Sequence, residues 1–338
     1  MTLELGTLSE DGGHYWDGEP SRWQPLWLRA DEVCEAARDR FGVETPARRP
    51  EYFGTGLLNQ TWRVGDHVLR VSRDERSLEQ LEYEHTVTEV LHRELPEICT
   101  AVRGVDGLAI QRWNGRLLSL FPYIAGDLGT ATPDDVRVRE TAAMLGRVHR
   151  VSLERLALPQ RPGFHAVDVR DQWVWSRLRP MLLAEVRGPE AAECFALFDD
   201  EIARLGRWLD ELHGSGRPLI RAVVQGDTNP RNLIFSGERI VGVIDWDDCH
   251  VDVLAAAVAA EAFWPAVDPE TFWRTYLTAG GPLAPEDFEL LGGFARLVAF
   301  YDLIWADHDG HAGPNALDHI RSVATRLEFL RDRVPDLP

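Results

Sequence analysis

Residues 223–248, "VVQGDTNPRNLIFSGERIVGVIDWDD", hold three oxygen-rich side chains at fixed intervals: Asp227, Asn232 and Asp245. The apolar runs "NLIF" and "RIVGVID" flank the turn Ser236-Gly237-Glu238, so the stretch reads as a loop followed by a hairpin. Asn232 then stands before the first strand and Asp245 at the end of the second, which carries both to the hairpin's open end, with Asp227 on the preceding loop. A carboxylate free to accept a proton, a carboxamide oxygen and a second carboxylate make a hard-oxygen set suited to magnesium–nucleotide chemistry. Singly, such residues are ordinary in turns and caps. The three together, with the elements upstream, carry the chemical reading.

Those elements change character along the chain. A stretch rich in Trp, Gly and Pro (Trp16, Trp23, Trp27) precedes a short amphipathic helix over Ala30 to Phe41. From Tyr52 to Val71 the texture is strand-like, "YFGTGLLNQTWRV" and "HVLRVS" joined by the turn Gly65-Asp66. Residues Arg76 to Leu95 place Leu78, Leu81, Thr88, Leu91 and Leu95 at helical spacing. "LAIQRW" and "RLLSLFPYI" around Asn114-Gly115 form a further hairpin, Asn-Gly being its turn signal. Past Gly126 the pattern is helical: a helix capped by Thr132 with Pro133 in its first turn, running through Arg150, then stretches at Asp171 to Glu185, Glu190 to Leu212, Pro269 to Leu277 and Pro285 to Leu330. A small antiparallel lobe with one helix, residues 1–125, is therefore expected to precede a larger, mainly helical lobe, 126–338.

Composition sets further bounds. The chain has 338 residues, 44% hydrophobic and 27% charged, as expected of a globular protein with room for two domains. It has neither a signal-like start nor a membrane-length apolar run, which points to the cytoplasm. Cys34, Cys99, Cys194 and Cys249 lie far apart and read as reduced thiols. A net charge of −19 argues against a nucleic-acid partner and suits a cationic small substrate. All 36 basic residues are Arg. The absence of Lys excludes a G-x-x-x-x-G-K-[ST] phosphate loop and any Schiff-base lysine.

With these motifs the chain resembles the aminoglycoside phosphotransferase and choline kinase-like family, over roughly Gly54 to Ala260. The family's H-G-D-x-x-x-x-N and I-D-[FW] brackets stand here as "QGDTNPRN" and "VIDWDD". The resemblance implies an α+β, bilobal protein-kinase-like fold that uses ATP, or GTP, with Mg2+. Carried over by position, Asp227 is the catalytic base, and Asn232 and Asp245 are the magnesium ligands. "GTGLLNQTWRV" is the loop over the phosphates, with Gly54, Gly56 and Asn59 in its turn. Arg70 stands where kinases keep a phosphate-contacting Lys, with Glu84 as its helix partner; a planar fork can clamp phosphates with altered geometry. The backbone of Phe121, Tyr123 and Ile124 lies where adenine is bound, and His149 matches a buried structural position. Three departures stand out: Arg70 for Lys, Gln225 for His, and Ala257 near the place of a frequent Asp.

The resemblance implies a hydroxyl-bearing small molecule as acceptor. Carboxylates beside aromatic rings, Glu261, Trp264, Asp302 and Trp305, suit an amine-bearing ligand through ion pairing and cation–π contact, and also fit a solvated acidic surface over core tryptophans. An aminoglycoside or other antibiotic is the first expectation and a metabolite amino alcohol resembling choline or homoserine the second. A nucleotide-sensing pseudokinase is the third reading, favoured by the missing Lys and opposed by the intact Asp227, Asn232 and Asp245.

Overall fold

The computed structural model describes residues 5–8, 14–16, 28–44, 49–53, 59–73, 76–130, 132–227, 229–308 and 310–334. The chain divides into two compact units, residues 1–127 with 241–247 and residues 128–240 with 248–338. The segment that carries Asp245 thus belongs to the first unit.

In the first unit, β1 (Leu5–Leu8) pairs antiparallel with β2 (His14–Trp16). Helix α1 (Ala30–Phe41) follows. A five-stranded antiparallel sheet is ordered β3 (Glu51–Tyr52), β4 (Gln60–Val64), β5 (His67–Val71), β7 (Arg116–Pro122), β6 (Ile110–Trp113). Strict alternation of buried and half-buried residues along β4 puts Trp62 and Val64 in a core with Leu69, Val71, Leu118 and Leu120. The β6–β7 turn works because Asn114 (φ 47) and Gly115 (φ 80) both take the left-handed conformation of a type I′ hairpin. Helix α2 (Leu78–Glu94) opens with a capping box in which Ser77 Oγ accepts from Gln80 N and Gln80 Oε1 accepts from Ser77 N. Its buried stripe contains Leu81, Glu84, His85, Thr88 and Leu91, so a carboxylate is carried inward among apolar neighbours. Val243 pairs with Ile98 in a parallel bridge, and Cys99 N donates to Val243 O at 3.0 Å, which ties the 241–247 segment into this unit.

The second unit is mainly helical: α3 (Asp135–Arg155), α4 (Val174–Glu185), α5 (Pro189–Gly214), α6 (Leu254–Ala262), α7 (Pro269–Thr278), α8 (Phe288–Val298) and α9 (Ala316–Arg333). Strand β8 (Asp127–Leu128) lies where one unit gives way to the other. Strand β9 (Arg221–Val224) leads to the Asp227 loop, β10 (Leu233–Ser236) leaves it, and β11 (Arg239–Val243) follows after a turn at Gly237 (φ 63). Strand β12 (His250–Val253) pairs antiparallel with β9. Helix α3 begins later than its sequence signals suggest: Asp134, not Thr132, caps it by accepting from Arg137 N at 2.8 Å. The region 285–330 is not one helix either. A 3-10 turn, Ala299–Ala306, and the short hairpin β13 (Asp307–His308) and β14 (His311–Ala312) separate α8 from α9. At the core of the helical unit, Glu201 of α5 is fully buried and meets Arg296 of α8 at 2.5 Å and Arg331 of α9 at 2.7 Å. Among the described residues no helix is long and apolar enough to cross a membrane.

Candidate active site

In the first unit, β5 and α2 bring Arg70 and Glu84 together. Arg70 Nη2 lies 2.6 Å from Glu84 Oε1, and both residues are buried. The guanidinium sits 5.0 Å from the Phe121 ring centroid, and its Nε has no hydrogen-bond partner among the described residues. Burial works against the charge, but the carboxylates of Glu84, Asp247 and Asp245 more than offset it and raise the guanidinium's pKa further. Arg70 therefore holds a permanent charge beside an unspent donor, the combination a phosphate oxygen needs.

Asp245 is exposed and takes φ 57, a left-handed conformation unusual for a residue with a side chain. Two residues on, Asp247 is buried, and Arg76 closes on its Oδ2 from Nη2 (2.7 Å) and Nε (3.2 Å). Asn59 Nδ2 donates to the same oxygen at 3.3 Å, while Asn59 Oδ1 accepts from Arg73 N at 3.1 Å. The Asn59 side chain thus joins the entrance of β4 to the Asp245 segment. Gly54 and Gly56 lie outside the described residues.

At the end of β7 and just beyond it, Phe121, Tyr123 and Ile124 are half-buried. Tyr123 N donates to Asp66 O at 2.8 Å, and the Tyr123 ring lies 3.7 Å beneath the Arg63 guanidinium carbon. That amide is committed within the protein. The Ile124 N–H makes no hydrogen bond among the described residues.

In the second unit, the loop after β9 is set by glycine. Gly226 has φ 88, and a Cβ there would stand 2.1 Å from the Asp248 carbonyl oxygen. The neighbouring turn Pro230–Asn232 lies so close to Gly129 that a Cβ on Gly129 would meet the Pro230 carbonyl oxygen at 2.1 Å. On this loop Asp227 Oδ1 accepts from Asn229 N at 3.0 Å and Oδ2 from Asn232 Nδ2 at 2.8 Å. Asn232 spends its amide nitrogen on Asp227, while its side-chain carbonyl oxygen makes no hydrogen bond among the described residues. The sequence-predicted pair is assembled.

Nearby in the same unit, Glu261 ends α6 and Asp302 lies on the 3-10 turn. Burial, first, and the Asp227 carboxylate, second, push the Glu261 carboxyl up to about 8, against the opposing pull of Arg326. Asp302 is raised by partial burial, with Arg326 opposing and Asp227 reinforcing the shift. Arg326, on α9, holds its guanidinium carbon 5.1 Å from the Trp264 ring centroid. Trp305 is half-buried on the 3-10 turn and makes no hydrogen bond or ring contact among the described residues. His149 is wholly buried against Tyr276, Nδ1 to Oη 3.1 Å, and burial depresses its pKa to about 3. It is a neutral packing residue.

The matched sequence pattern is that of a phosphotransferase enzyme family, whose model covers residues 51–293. The chain belongs to that family. It is 28% identical to a homoserine kinase of Zymomonas mobilis over 187 residues, 55% of this chain and 54% of that enzyme, so the match spans about half of the relative. Among solved structures, a microcompartment-associated aminopropanol kinase shares the fold at TM-score 0.68 and 19% identity, covering 90% of this chain and 99% of that one. A spectinomycin phosphotransferase in complex with ADP and spectinomycin shares it at TM-score 0.63 and 13% identity, covering 90% and 98%. The chain thus has the kinase-like bilobal α+β fold of its phosphotransferase family.

Three residues escape the motif-based reading of this phosphotransferase. Asp247 was visible only as the second Asp of the "DWDD" string, and Arg76 as the residue before the Ser77 cap. Arg326 carries no local signal; only the packing of α9 brings it to Trp264.

Proposed function

We propose that this phosphotransferase transfers the γ-phosphoryl group of ATP, or GTP, to a hydroxyl of a small amine-bearing acceptor. The observation that carries the reading is the Asp227–Asn232 pair at 2.8 Å on a loop whose course depends on Gly226. A carboxylate whose oxygens accept from the Asn229 backbone and the Asn232 side chain is aimed, and a carboxylate so aimed can take the proton of a hydroxyl nucleophile.

In this reading Arg70 takes phosphate oxygens, with Glu84 fixing the plane of its fork. The Ile124 amide takes the base. The bond between the γ-phosphorus and the β,γ-bridging oxygen breaks, a new bond forms to the acceptor oxygen, and the hydroxyl proton goes to Asp227. The products are the nucleoside diphosphate and a phosphate ester.

The reading takes magnesium as the metal. Among the described residues no group of three or more His, Cys, Asp or Glu side chains is placed to hold a metal. By the sequence motif, Asn232 and Asp245 would each supply a hard oxygen, and Mg2+ is commonly held by one or two protein ligands with phosphates and water completing the shell. When bound, it would neutralise developing phosphate charge.

The test is magnesium-dependent turnover with a panel of hydroxyl acceptors, repeated with Asp227→Asn. That variant should lose about 100- to 10,000-fold in kcat with nucleotide affinity little changed. Full activity in Asp227→Asn would overturn the assignment. Nucleotide binding without turnover on any acceptor would favour a sensor instead; the buried Arg70–Glu84 pair speaks against that, since it keeps the clamp intact without Lys.

A further inference from the structure

Strand β12 carries a buried imidazole that takes no part in the phosphotransfer step itself. His250 and Asp252 stand two residues apart on the strand, so they share its face, and both are buried. His250 Nδ1 lies 2.7 Å from the carbonyl oxygen of Asp248, and its Nε2 lies 3.4 Å from Asp252 Oδ2. A carbonyl can only accept, so Nδ1 is the donor in the first contact. Asp252 is itself fixed, because its Oδ1 accepts from Val167 N at 2.9 Å and from Val253 N at 2.7 Å. The Phe164 ring lies 5.1 Å from the imidazole at an angle of 31°. Held at both nitrogens and covered on a face, the imidazole has little freedom to turn.

The oxygen that His250 holds is the one the Asp227 loop rests on. A Cβ on Gly226 would stand 2.1 Å from the Asp248 carbonyl oxygen and 2.7 Å from its carbon, so the backbone one residue before Asp227 passes close over that peptide. His250 also pairs with Val224, and Val251 with Val223, so the strand that feeds the loop is laddered to the strand that carries the imidazole. Strand β12 has a second fastening: Gln160 Nε2 donates to Val251 O at 2.8 Å, Gln160 Oε1 accepts from Val251 N at 2.9 Å, and Arg161 Nη1 donates to Cys249 O at 3.1 Å. A firm strand thus presents the imidazole, and the imidazole aims the carbonyl under Gly226.

We propose that His250 is a positioning residue for phosphoryl transfer: by holding the Asp248 carbonyl it fixes the surface against which Gly226 packs, and so the place of the Asp227 carboxylate. The proposal rests on the reading of Asp227 as the base. His250 acts at one remove, through the loop. That is enough to matter, since a misplacement of about 1 Å at a reacting group can cost about 100-fold in rate.

Substitution separates the two nitrogens. His250→Asn keeps an N–H donor near the place of Nδ1, whereas His250→Gln keeps one near Nε2 and loses the donor to Asp248. His250→Gln should lower kcat about 10- to 100-fold with KM for ATP and for the acceptor within about twofold of wild type, and His250→Asn should recover most of the loss. A merely structural histidine would instead lose activity in step with melting temperature, in both variants alike. Amide hydrogen exchange gives a readout independent of turnover. The Asn229 N–H, which donates to Asp227 Oδ1 at 3.0 Å, should exchange about tenfold faster in His250→Gln and near the wild-type rate in His250→Asn. An unchanged kcat or an unchanged Asn229 exchange rate in His250→Gln, or equal losses in the two variants, would overturn the proposal. If His250→Gln melts early, His250→Phe, which keeps a ring against Phe164 without a donor, decides on the same ratios. On an Asp227→Asn background His250→Gln should cost nothing further. A fully active Asp227→Asn would sink the base assignment and the positioning role with it, whereas an inactive Asp227→Asn beside a fully active His250→Gln would sink the positioning role alone.

Discussion

Arg76 grips Asp247 through two nitrogens on one carboxylate oxygen, and Asn59 reaches that same oxygen. Both ends of the ion pair are buried. Asp245, with its left-handed backbone, is anchored two residues away, so the grip on Asp247 limits where the exposed Asp245 carboxylate can point.

Removing only one end should therefore be costly. Arg76→Gln leaves a buried carboxylate uncompensated and should destabilise the protein by about 3–5 kcal/mol in urea unfolding. The pair Arg76→Gln with Asp247→Asn should cost less than the two single changes added, with a coupling of about 1–3 kcal/mol. Asn59→Ala should spare most of the stability yet raise the magnesium concentration for half-maximal activity. Additive stabilities, or an unchanged magnesium requirement in Asn59→Ala, would show that the grip does not orient the Asp245 segment.

The Arg70–Glu84 pair predicts a different pattern. Arg70→Ala should weaken ADP binding by about 10- to 100-fold and lower kcat, since a charged donor to phosphate is lost. Arg70→Lys should recover only part, because a point charge does not reproduce the fork. Glu84→Gln should weaken ADP binding in the wild type and hardly at all on an Arg70→Ala background. ADP affinity indifferent to Arg70→Ala would remove the residue from the nucleotide site.

Much of this was legible in sequence where local rules decide. Alternation located β4, Asn114-Gly115 located the β6–β7 turn, and helical spacing bounded α1 as observed. The interval singled out Asp227 and Asn232 as a functional set, while the hydrogen bond between them is seen only in the loop that leads into the strand beginning at Leu233. The stretch 285–330 misled because its apolar residues continue at helical spacing through a 3-10 turn; Gly310 and Gly313-Pro314, which mark the break, are turn signals that were outweighed. Arg76, Asp247 and Arg326 were out of reach for another reason. Each acts through a partner distant in sequence, and arginines are too frequent in a chain without Lys for any one to stand out.

Glu201 offers a test of the helical unit apart from chemistry. It is fully buried and answers both Arg296 and Arg331. Glu201→Ala should cost about 3–5 kcal/mol, since Arg296 would be left buried without its counter-charge. Glu201→Ala combined with Arg296→Met should regain part of the loss. A double variant no more stable than Glu201→Ala would show that packing, not charge, sets the cost.

Glu261 predicts how the protein responds to pH. Its carboxyl moves from an ordinary value of 4.5 to about 8, chiefly by burial and then by the neighbouring Asp227. Between those two values the folded protein keeps a proton that the unfolded chain has released, so this group's contribution to stability is full below about pH 4.5 and declines as pH rises toward 8. The melting temperature of the wild type minus that of Glu261→Gln should therefore fall across this window. A flat melting-temperature difference would mean that Glu261 is ionised already.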